Sequence, residues 1–180
     1  MRLVLIRHAH PRAGYADDVD PGLDDLGREQ AITMSALVAP IGPRPIIVSP
    51  LRRTRETAAV LEDAWDTSAT VDPRVGEIPS PFGLADRSTW LGAVLRGKWS
   101  EQPDALRQWR DDLLDTLRAL PSDTVVVTHF VAINAIVGAA TGDDRVASCM
   151  PDYCSQTTVE ADERGLTMVD LGAQASTRIR

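Results

Sequence analysis

Two of the three histidines of this 180-residue chain directly follow short apolar segments. His8 comes after residues 3–6 and an arginine, and His129 comes after residues 124–128. Both segments are rich in aliphatic residues and end in polar ones, which predicts buried strands. In α/β proteins with an open parallel sheet, ligands bind beyond the carboxyl ends of the strands. The spacing therefore predicts that both imidazoles emerge at the same edge of one sheet.

Arginine side chains stand beside the same predicted strand ends. Arg7 precedes the first of these histidines, and a cluster of three follows a further apolar segment at residues 45–48: Arg52, Arg53 and Arg55. Taken alone, such a cluster could be a solvated helix face paired with Glu56 and Glu62, and a single histidine at a strand end is often structural. Two imidazoles together with guanidinium groups instead favour a site for a dianion such as a phosphoryl group.

Strands and helices alternate along the elements that must position these groups. Apolar patterning predicts strands at residues 3–6, 45–48, 69–75, 124–128, 157–160 and 166–171, and helices at 26–38, 49–65, 87–95, 103–120 and 131–140. Ser49 is predicted as the N-cap of the second helix, with Pro50 in its first turn, and Asp24 or Asp25 as the cap of the first. We expect an α/β fold, a three-layer sandwich with a mainly parallel central sheet flanked by helices.

Composition narrows the classes of protein. Acidic residues outnumber basic ones by 26 to 19, a net charge of −7, which argues against a general nucleic-acid binder. The two cysteines, Cys149 and Cys154, cannot form a disulfide framework, and we expect no bridge. We see neither a signal peptide nor a transmembrane segment, so a cytoplasmic protein without a membrane partner is expected. The length suits one domain, residues 1–180, with a short cap-like excursion at about 76–102.

Four segments, in order, resemble motifs of the histidine phosphatase superfamily, also called phosphoglycerate-mutase-like. Residues 7–9, Arg-His-Ala, resemble the Arg-His-Gly motif of that family, and residues 23–31 resemble its Leu-Thr-x-x-Gly-x-x-Gln-Ala segment. Residues 49–58 resemble its Ser-Pro-Leu-x-Arg-Ala-x-x-Thr-Ala helix start. Residues 125–129, Val-Val-Val-Thr-His, resemble its strand with the second histidine. Together the matches cover residues 3 to about 138.

The resemblance implies a phosphatase and a role for five residues. His8 is the implied nucleophile, which forms a phosphohistidine. Arg7 and Arg53 are implied to bind the phosphoryl oxygens, and His129 to be the second histidine of the phosphate pocket. Glu77 is the implied acid that protonates the leaving oxygen. Neither a metal nor another cofactor is implied, because preorganised cations can stabilise the phosphoryl charge.

Five positions depart from the family pattern. Ala9 replaces a glycine, His10 stands where many members have a glutamate, and Gly14 where many have an asparagine that donates to phosphate. Asp24 replaces a threonine, and Phe130 replaces a glycine and adds apolar bulk beside the pocket. These changes leave the implied catalytic groups in place and bear on the substrate.

Several alternatives stay open at this stage. A cofactor-dependent phosphomutase would need a longer cap than the residues between 77 and 121 offer, so a phosphatase is favoured. His8-x-His10 is also similar to the metal-binding pair of amidohydrolases, although the chain is short for their barrel. A non-catalytic phosphate- or phosphoprotein-binding module would keep the same cations. Asp86 is the second candidate for the acid.

The substrate itself is predicted only by class, as a phosphorylated small molecule or a phosphoprotein. Recognition of its leaving group is expected from the excursion, where the candidates are Phe82, Leu84, Arg87, Trp90 and Trp99.

Overall fold

The structure is a computed structural model that describes residues 1–14, 17–81 and 84–175, without the side chains of residues 84 and 85. Its strands are β1 (Arg2–Arg7), β2 (Ile46–Val48), β3 (Thr70–Val71), β4 (Thr124–Thr128), β5 (Gln156–Asp162) and β6 (Gly165–Asp170). Its α-helices are α1 (Asp25–Val38), α2 (Arg52–Trp65), α3 (Leu84–Leu95), α4 (Asp104–Arg118) and α5 (Phe130–Thr141). Short 3₁₀ helices lie at Ala39–Ile41, Pro73–Val75 and Trp99–Glu101.

The described strands form one mixed sheet in the order β3-β2-β4-β1-β5-β6. The first four of these run parallel to one another, and β5 and β6 are antiparallel additions. Arg7 of β1 is paired with Thr128 of β4, and Val48 of β2 with Val127 of β4. The residues that follow these three strands therefore start from one edge of the sheet. The predicted α/β class with a mainly parallel sheet is confirmed.

Alternate residues of the central strands feed two separate hydrophobic clusters. Leu3 and Leu5 pack in a cluster that includes residues of α4 and α5. Val4 and Ile6 pack in a second cluster with residues of α1 and α2. Side chains alternate across a strand, so the two clusters lie on opposite faces of the sheet. The sheet is thereby fixed from both sides.

Three predicted elements have bounds that differ by three or more residues at one end in the structure. The helix expected at 49–65 begins only at Arg52. The strand expected at 69–75 is only Thr70–Val71, because Pro73 has no N–H for a ladder and instead opens a 3₁₀ turn. Asp72 supports this turn, since its side chain accepts a hydrogen bond from Arg74 N. The helix expected at 87–95 begins earlier, at Leu84. That helix lies in the predicted cap-like excursion, whose status as a cap stays a prediction.

The helix caps correct one prediction and settle another. The residue before α2 is Leu51, which makes no side-chain capping bond, so the prediction of Ser49 as the N-cap is wrong. Asp24 caps α1, where its Oδ1 accepts a hydrogen bond from Gly27 N at 2.8 Å. Both cysteines are free thiols, as predicted. Within the described ranges, no helix combines the length and the apolar character needed to cross a bilayer.

Candidate active site

His8 lies at the carboxyl end of β1 with its ring held in one tautomer. The backbone N–H of His8 donates to Thr128 O at 3.0 Å, which extends the ladder between β1 and β4. Ring atom Nδ1 is 2.8 Å from Ala9 O. A carbonyl only accepts, so Nδ1 carries the proton and Nε2 keeps its lone pair. The side chain is therefore arranged to act as a nucleophile through Nε2.

Arg53 of α2 joins the two histidines that follow β1 and β4. Its Nε donates to His8 Nε2 at 3.3 Å, and its Nη2 donates to His129 Nδ1 at 3.3 Å. Because an arginine has no acceptor, the proton of the His129 ring must be on Nε2, which lies 2.7 Å from Ser49 Oγ. The hydroxyl of Ser49 thus holds His129 instead of capping α2.

Both histidines are neutral bases in this setting. Burial is the largest cause that holds the pKa of His8 well below its ordinary value, and the charges of Arg53 and Arg7 act in the same direction. The pKa of His129 is likewise held well below its ordinary value, first by burial and then by His8 and the two arginines. An imidazole that stays neutral keeps the lone pair that an attack on phosphorus requires.

Arg7 is a buried cation, with only 4% of its surface exposed. Its Nη1 donates to Pro151 O at 2.9 Å. The guanidinium carbon lies 3.9 Å from the ring centroid of Tyr153 and 5.3 Å from that of Phe130. The guanidinium is thus in contact with two aromatic rings beside His8, and it can offer hydrogen-bond donors to an anion there.

Glu77 lies just after the 3₁₀ turn Pro73–Val75, beside the start of α5. Its Oε1 accepts a hydrogen bond from Ile78 N at 2.9 Å, and its Oε2 is 3.5 Å from Val131 N. Burial raises the pKa of Glu77, although the Ile78 N–H and the charge of Arg53 oppose the rise. A carboxyl group of raised pKa can hold a proton and deliver it to a leaving group.

These side chains surround a cavity of about 80 Å³. The described residues that line it are Arg7, His8, Pro11, Ala13, Gly14, Asp18, Val19, Pro21, Arg53, Glu77, Leu91, Phe130, Val131 and Tyr153. Four of the five predicted site residues are among them. The fifth, His129, is fully buried behind Arg53 and His8 and does not line the cavity.

The remaining candidates lie elsewhere. Trp99 is 2% exposed and packs in the core against Trp109 at 6.0 Å between ring centroids, so it does not contact the cavity. Trp90 packs against the same core, and Asp86 is exposed on α3. Arg87 is half-buried and is not among the lining residues. Phe82 and the side chain of Leu84 lie outside the described residues.

The predicted alternative with a metal pair finds no support in the side-chain arrangement. His10 Nδ1 lies 2.7 Å from Asp24 Oδ2, whereas His8 faces Arg53. Among the described residues, no group of three or more histidine, cysteine, aspartate or glutamate side chains could hold a metal ion. His8 and His10 therefore have different polar partners, Arg53 and Asp24, although both rings lie beside that of Tyr153.

Comparison with known proteins decides the family. Residues 3–174 match the family model of the histidine phosphatase superfamily (branch 1). The chain belongs to this superfamily. The resemblance seen in the sequence motifs is thus confirmed.

Curated proteins that are similar to this chain include phosphatases and a mutase. The chain is 33% identical over 115 residues to the glucosyl-3-phosphoglycerate phosphatase of Mycolicibacterium vanbaalenii, covering 62% of this chain and 48% of that protein. It is 27% identical to phosphoserine phosphatase 1 of Hydrogenobacter thermophilus, covering 62% and 52%. It is 26% identical to the "Probable phosphoglycerate mutase GpmB" of Erwinia tasmaniensis, covering 79% and 75%. The matches span about half the length of the two phosphatases.

Solved structures share the fold over nearly the whole chain. The alpha-ribazole phosphatase from Shigella flexneri superposes with a TM-score of 0.74 at 16% identity, covering 97% of this chain and 98% of that one. A mycobacterial glucosyl-3-phosphoglycerate phosphatase in complex with VO₃ gives a TM-score of 0.69 at 23% identity, covering 88% and 92%. At these identities the likeness concerns the fold alone.

Proposed function

We propose that this histidine phosphatase superfamily member is a phosphomonoester hydrolase that forms a phosphohistidine on His8. The proposal rests on the state of the His8 ring: Nδ1 is tied to Ala9 O, and the unprotonated Nε2 accepts a hydrogen bond from Arg53 Nε, so its lone pair becomes available for attack when Arg53 turns to the substrate. We further propose that the site sits in one domain, built as a three-layer sandwich.

In the first half-reaction, the phosphoryl group of the substrate enters the cavity beside two guanidinium groups. Arg53 turns its Nε from His8 to a phosphoryl oxygen, and Arg7 binds a second oxygen. A bond forms between His8 Nε2 and phosphorus while the bond from phosphorus to the leaving oxygen breaks. Glu77 gives its proton to that oxygen, so the leaving group departs as a neutral alcohol.

In the second half-reaction, the Glu77 carboxylate takes a proton from a water molecule. The water oxygen bonds to phosphorus, and the bond between phosphorus and Nε2 breaks. Inorganic phosphate leaves, and both His8 and Glu77 return to their starting protonation states. His129 contributes through Arg53, because it accepts a hydrogen bond from Nη2 and so keeps the guanidinium beside the phosphoryl group.

The substrate class that we propose is a phosphorylated small molecule. The curated relatives include phosphatases named for glucosyl-3-phosphoglycerate, phosphoserine and 5''-phosphoribostamycin, which are all of this kind. A mutase is the second candidate, favoured by the relative named as a phosphoglycerate mutase. The two functions differ in the acceptor of the phosphoryl group. A phosphatase transfers it to water, whereas a mutase would transfer it to a phosphoglycerate.

Rapid quench with a ³²P-labelled phosphomonoester tests the proposal. We expect an acid-labile, base-stable phosphoenzyme that is absent from His8→Ala. His10→Ala is the matched control, since His10 faces Asp24 and not the cavity, and it should still be labelled. If the protein binds phosphate but neither hydrolyses a phosphomonoester nor forms a phosphoenzyme, it is a binding module instead.

Exhaustive chelation tests whether a metal takes part. We expect the hydrolysis rate to be unchanged, because Arg7 and Arg53 supply the positive charge that a metal ion supplies in other phosphatases. Orthovanadate should inhibit by occupying the same position. A rate that is lost on chelation and restored by one added metal would favour the metallohydrolase alternative.

A further inference from the structure

The turn between α5 and β5 forms one wall of the site, although its sequence matches none of the motifs. Cys154 N donates to Arg7 O at 3.0 Å, and Arg7 N donates to Ser155 O at 3.3 Å. Asp152 N is bound to Ala173 O at 2.9 Å, which ties the turn to the later chain. The turn is thus fastened on both sides, and it reaches the backbone of the arginine that precedes His8.

Within this turn, the ring of Tyr153 lies next to the Arg7 guanidinium, whose carbon stands over the ring. The distance of 3.9 Å between the guanidinium carbon and the ring centroid is the shorter of the two aromatic contacts of Arg7. Arg7 Nη1 donates to Pro151 O, but buried Nε has no hydrogen-bond partner among the described residues. One hydrogen bond at Nη1 does not by itself fix the plane of the guanidinium, and the Tyr153 ring is the nearer of the two aromatic rings that the group contacts.

Backbone contacts and the ring of His10 support Tyr153 in this position. The next residue, Cys154, has a φ of 58°, in the left-handed region, which sharply reverses the chain direction after Tyr153. Tyr153 N donates to Asp152 Oδ1 at 2.8 Å. The ring centroid of His10 lies 5.1 Å from that of Tyr153 at an interplanar angle of 73°.

We propose that Tyr153 is a positioning residue, whose ring holds the plane of the Arg7 guanidinium so that its donors face the phosphoryl oxygens. The inference rests on the proposed function of Arg7 as a phosphoryl ligand. It follows from the position of the guanidinium carbon over the ring, 3.9 Å from the centroid, because a planar guanidinium over an aromatic face is both attracted and oriented. Removal of the Tyr153 ring should disturb the orientation of the Arg7 guanidinium but leave its positive charge in place.

The test compares Tyr153→Phe, which keeps the ring, with Tyr153→Leu, which removes it. We expect Tyr153→Leu to weaken orthovanadate binding by about tenfold and Tyr153→Phe by less than about twofold, measured by calorimetry. In steady-state kinetics, kcat/KM should fall by the same factor for an alkyl and a nitrophenyl phosphate. That equality is expected because Arg7 acts on the phosphoryl group that both esters share.

A double-mutant cycle separates an action through Arg7 from a direct contact with substrate. Arg7→Lys keeps a positive charge but has no planar group to lie on the ring. In that background Tyr153→Leu should change vanadate affinity by less than about twofold, a clear departure from additivity. If the leucine variant does not fold, as judged by its thermal unfolding curve, Tyr153→Met takes its place in the cycle.

Three results would overturn the inference. They are an unchanged vanadate affinity in folded Tyr153→Leu, an equal loss in Tyr153→Phe, which would point to the hydroxyl group, or additive effects with Arg7→Lys. Failure of the proposed function would look different: vanadate would still bind and depend on Tyr153, but no ester would be turned over and no phosphoenzyme would form.

Discussion

Arg53 is the residue that links the two imidazoles. Its guanidinium contacts one nitrogen of His8 and one of His129, and it is only 6% exposed. It is buried because it shares a face of α2 with Thr57 and Ala58, whereas Arg52 and Arg55 point to solvent. Within one turn of the helix, a buried arginine that we propose as a phosphoryl ligand thus lies beside two exposed arginines.

Glu77 can be tested through the basicity of the leaving group. Glu77→Gln should slow phosphorylation of the enzyme by an alkyl phosphate by ~10²–10⁴-fold, because a departing alkoxide must be protonated as its bond breaks. A nitrophenolate is already a stable anion, so the nitrophenyl ester should be affected much less. Single-turnover quench with both esters measures the two rates apart from the second half-reaction.

The control for this experiment is Arg53→Ala, which should slow both esters by the same factor. In the wild-type enzyme, the rate with the alkyl ester divided by the rate with the nitrophenyl ester should fall as pH rises through the pKa of Glu77. Burial places that pKa above its ordinary value of 4.5. Equal slowing of both esters by Glu77→Gln would remove Glu77 as the acid.

The sequence predicts the polar ends of the strands better than it predicts what surrounds them. His8, Arg7 and Arg53 could be found because motifs and buried strands fix their place. Tyr153 was missed, since it lies in an irregular turn with no periodic pattern and meets Arg7 only through tertiary folding. The prediction of Ser49 as the cap of α2 is wrong because a serine before Pro-Leu is typical of a helix cap, whereas its contact with His129 arises only in the folded chain.

At the scale of elements, helix α1 is capped by Asp24, which also contacts His10. Asp24 accepts from Gly27 N through Oδ1 and lies 2.7 Å from His10 Nδ1 through Oδ2. We expect Asp24→Ala to lower the free energy of unfolding by about 1 kcal/mol, the usual worth of an N-cap. Denaturant unfolding monitored by circular dichroism measures the change.

Two variants show whether the cap is the cause. Asp24→Asn keeps an oxygen for the Gly27 N–H and should lose less than half as much stability as the alanine variant. Asp25→Ala removes a neighbouring carboxylate that is 96% exposed and forms a surface ion pair with Arg28, so it should be nearly neutral. If Asp24→Asn is as damaging as Asp24→Ala, the contact with His10 matters more than the cap.

The elements that were predicted wrongly are those in which local chemistry competes with apolar patterning. Residues 69–75 contain enough β-branched side chains to suggest a strand, but Asp72-Pro73 supplies a turn that ends it after Val71. The long strands and amphipathic α4 have no such competitor, and their predicted positions agree with the structure to within two residues or so at each end.

At the scale of the whole molecule, the two buried histidines make stability depend on pH. Their folded pKa values lie well below the ordinary value of 6.5, so between these values the unfolded chain binds more protons. Stability is therefore fully present above pH 6.5 and is lost as pH falls below it, by up to about 1.4 kcal/mol per pH unit for each histidine. Denaturant titrations at a series of pH values would measure this slope.

Glu77 contributes with the opposite sign. Its raised folded pKa gives stability that is lost as pH rises from 4.5 through that pKa, which offsets part of the histidine effect. Two histidines outweigh one glutamate, so the net slope below pH 6.5 stays positive. His8→Asn should flatten the slope, and an unchanged slope in that variant would show that His8 is not the group responsible.

The central place of β1 in the sheet has a consequence for the growing polypeptide on the ribosome. Leu3 is paired with Thr124 on one side and with Val159 on the other, so both neighbours are translated long after β1 itself. Until then, an apolar strand waits with both of its edges open, and such edges invite pairing with other chains. A nascent chain that stalls before residue 124 would expose this segment without any native partner, which makes it a natural binding target for a chaperone.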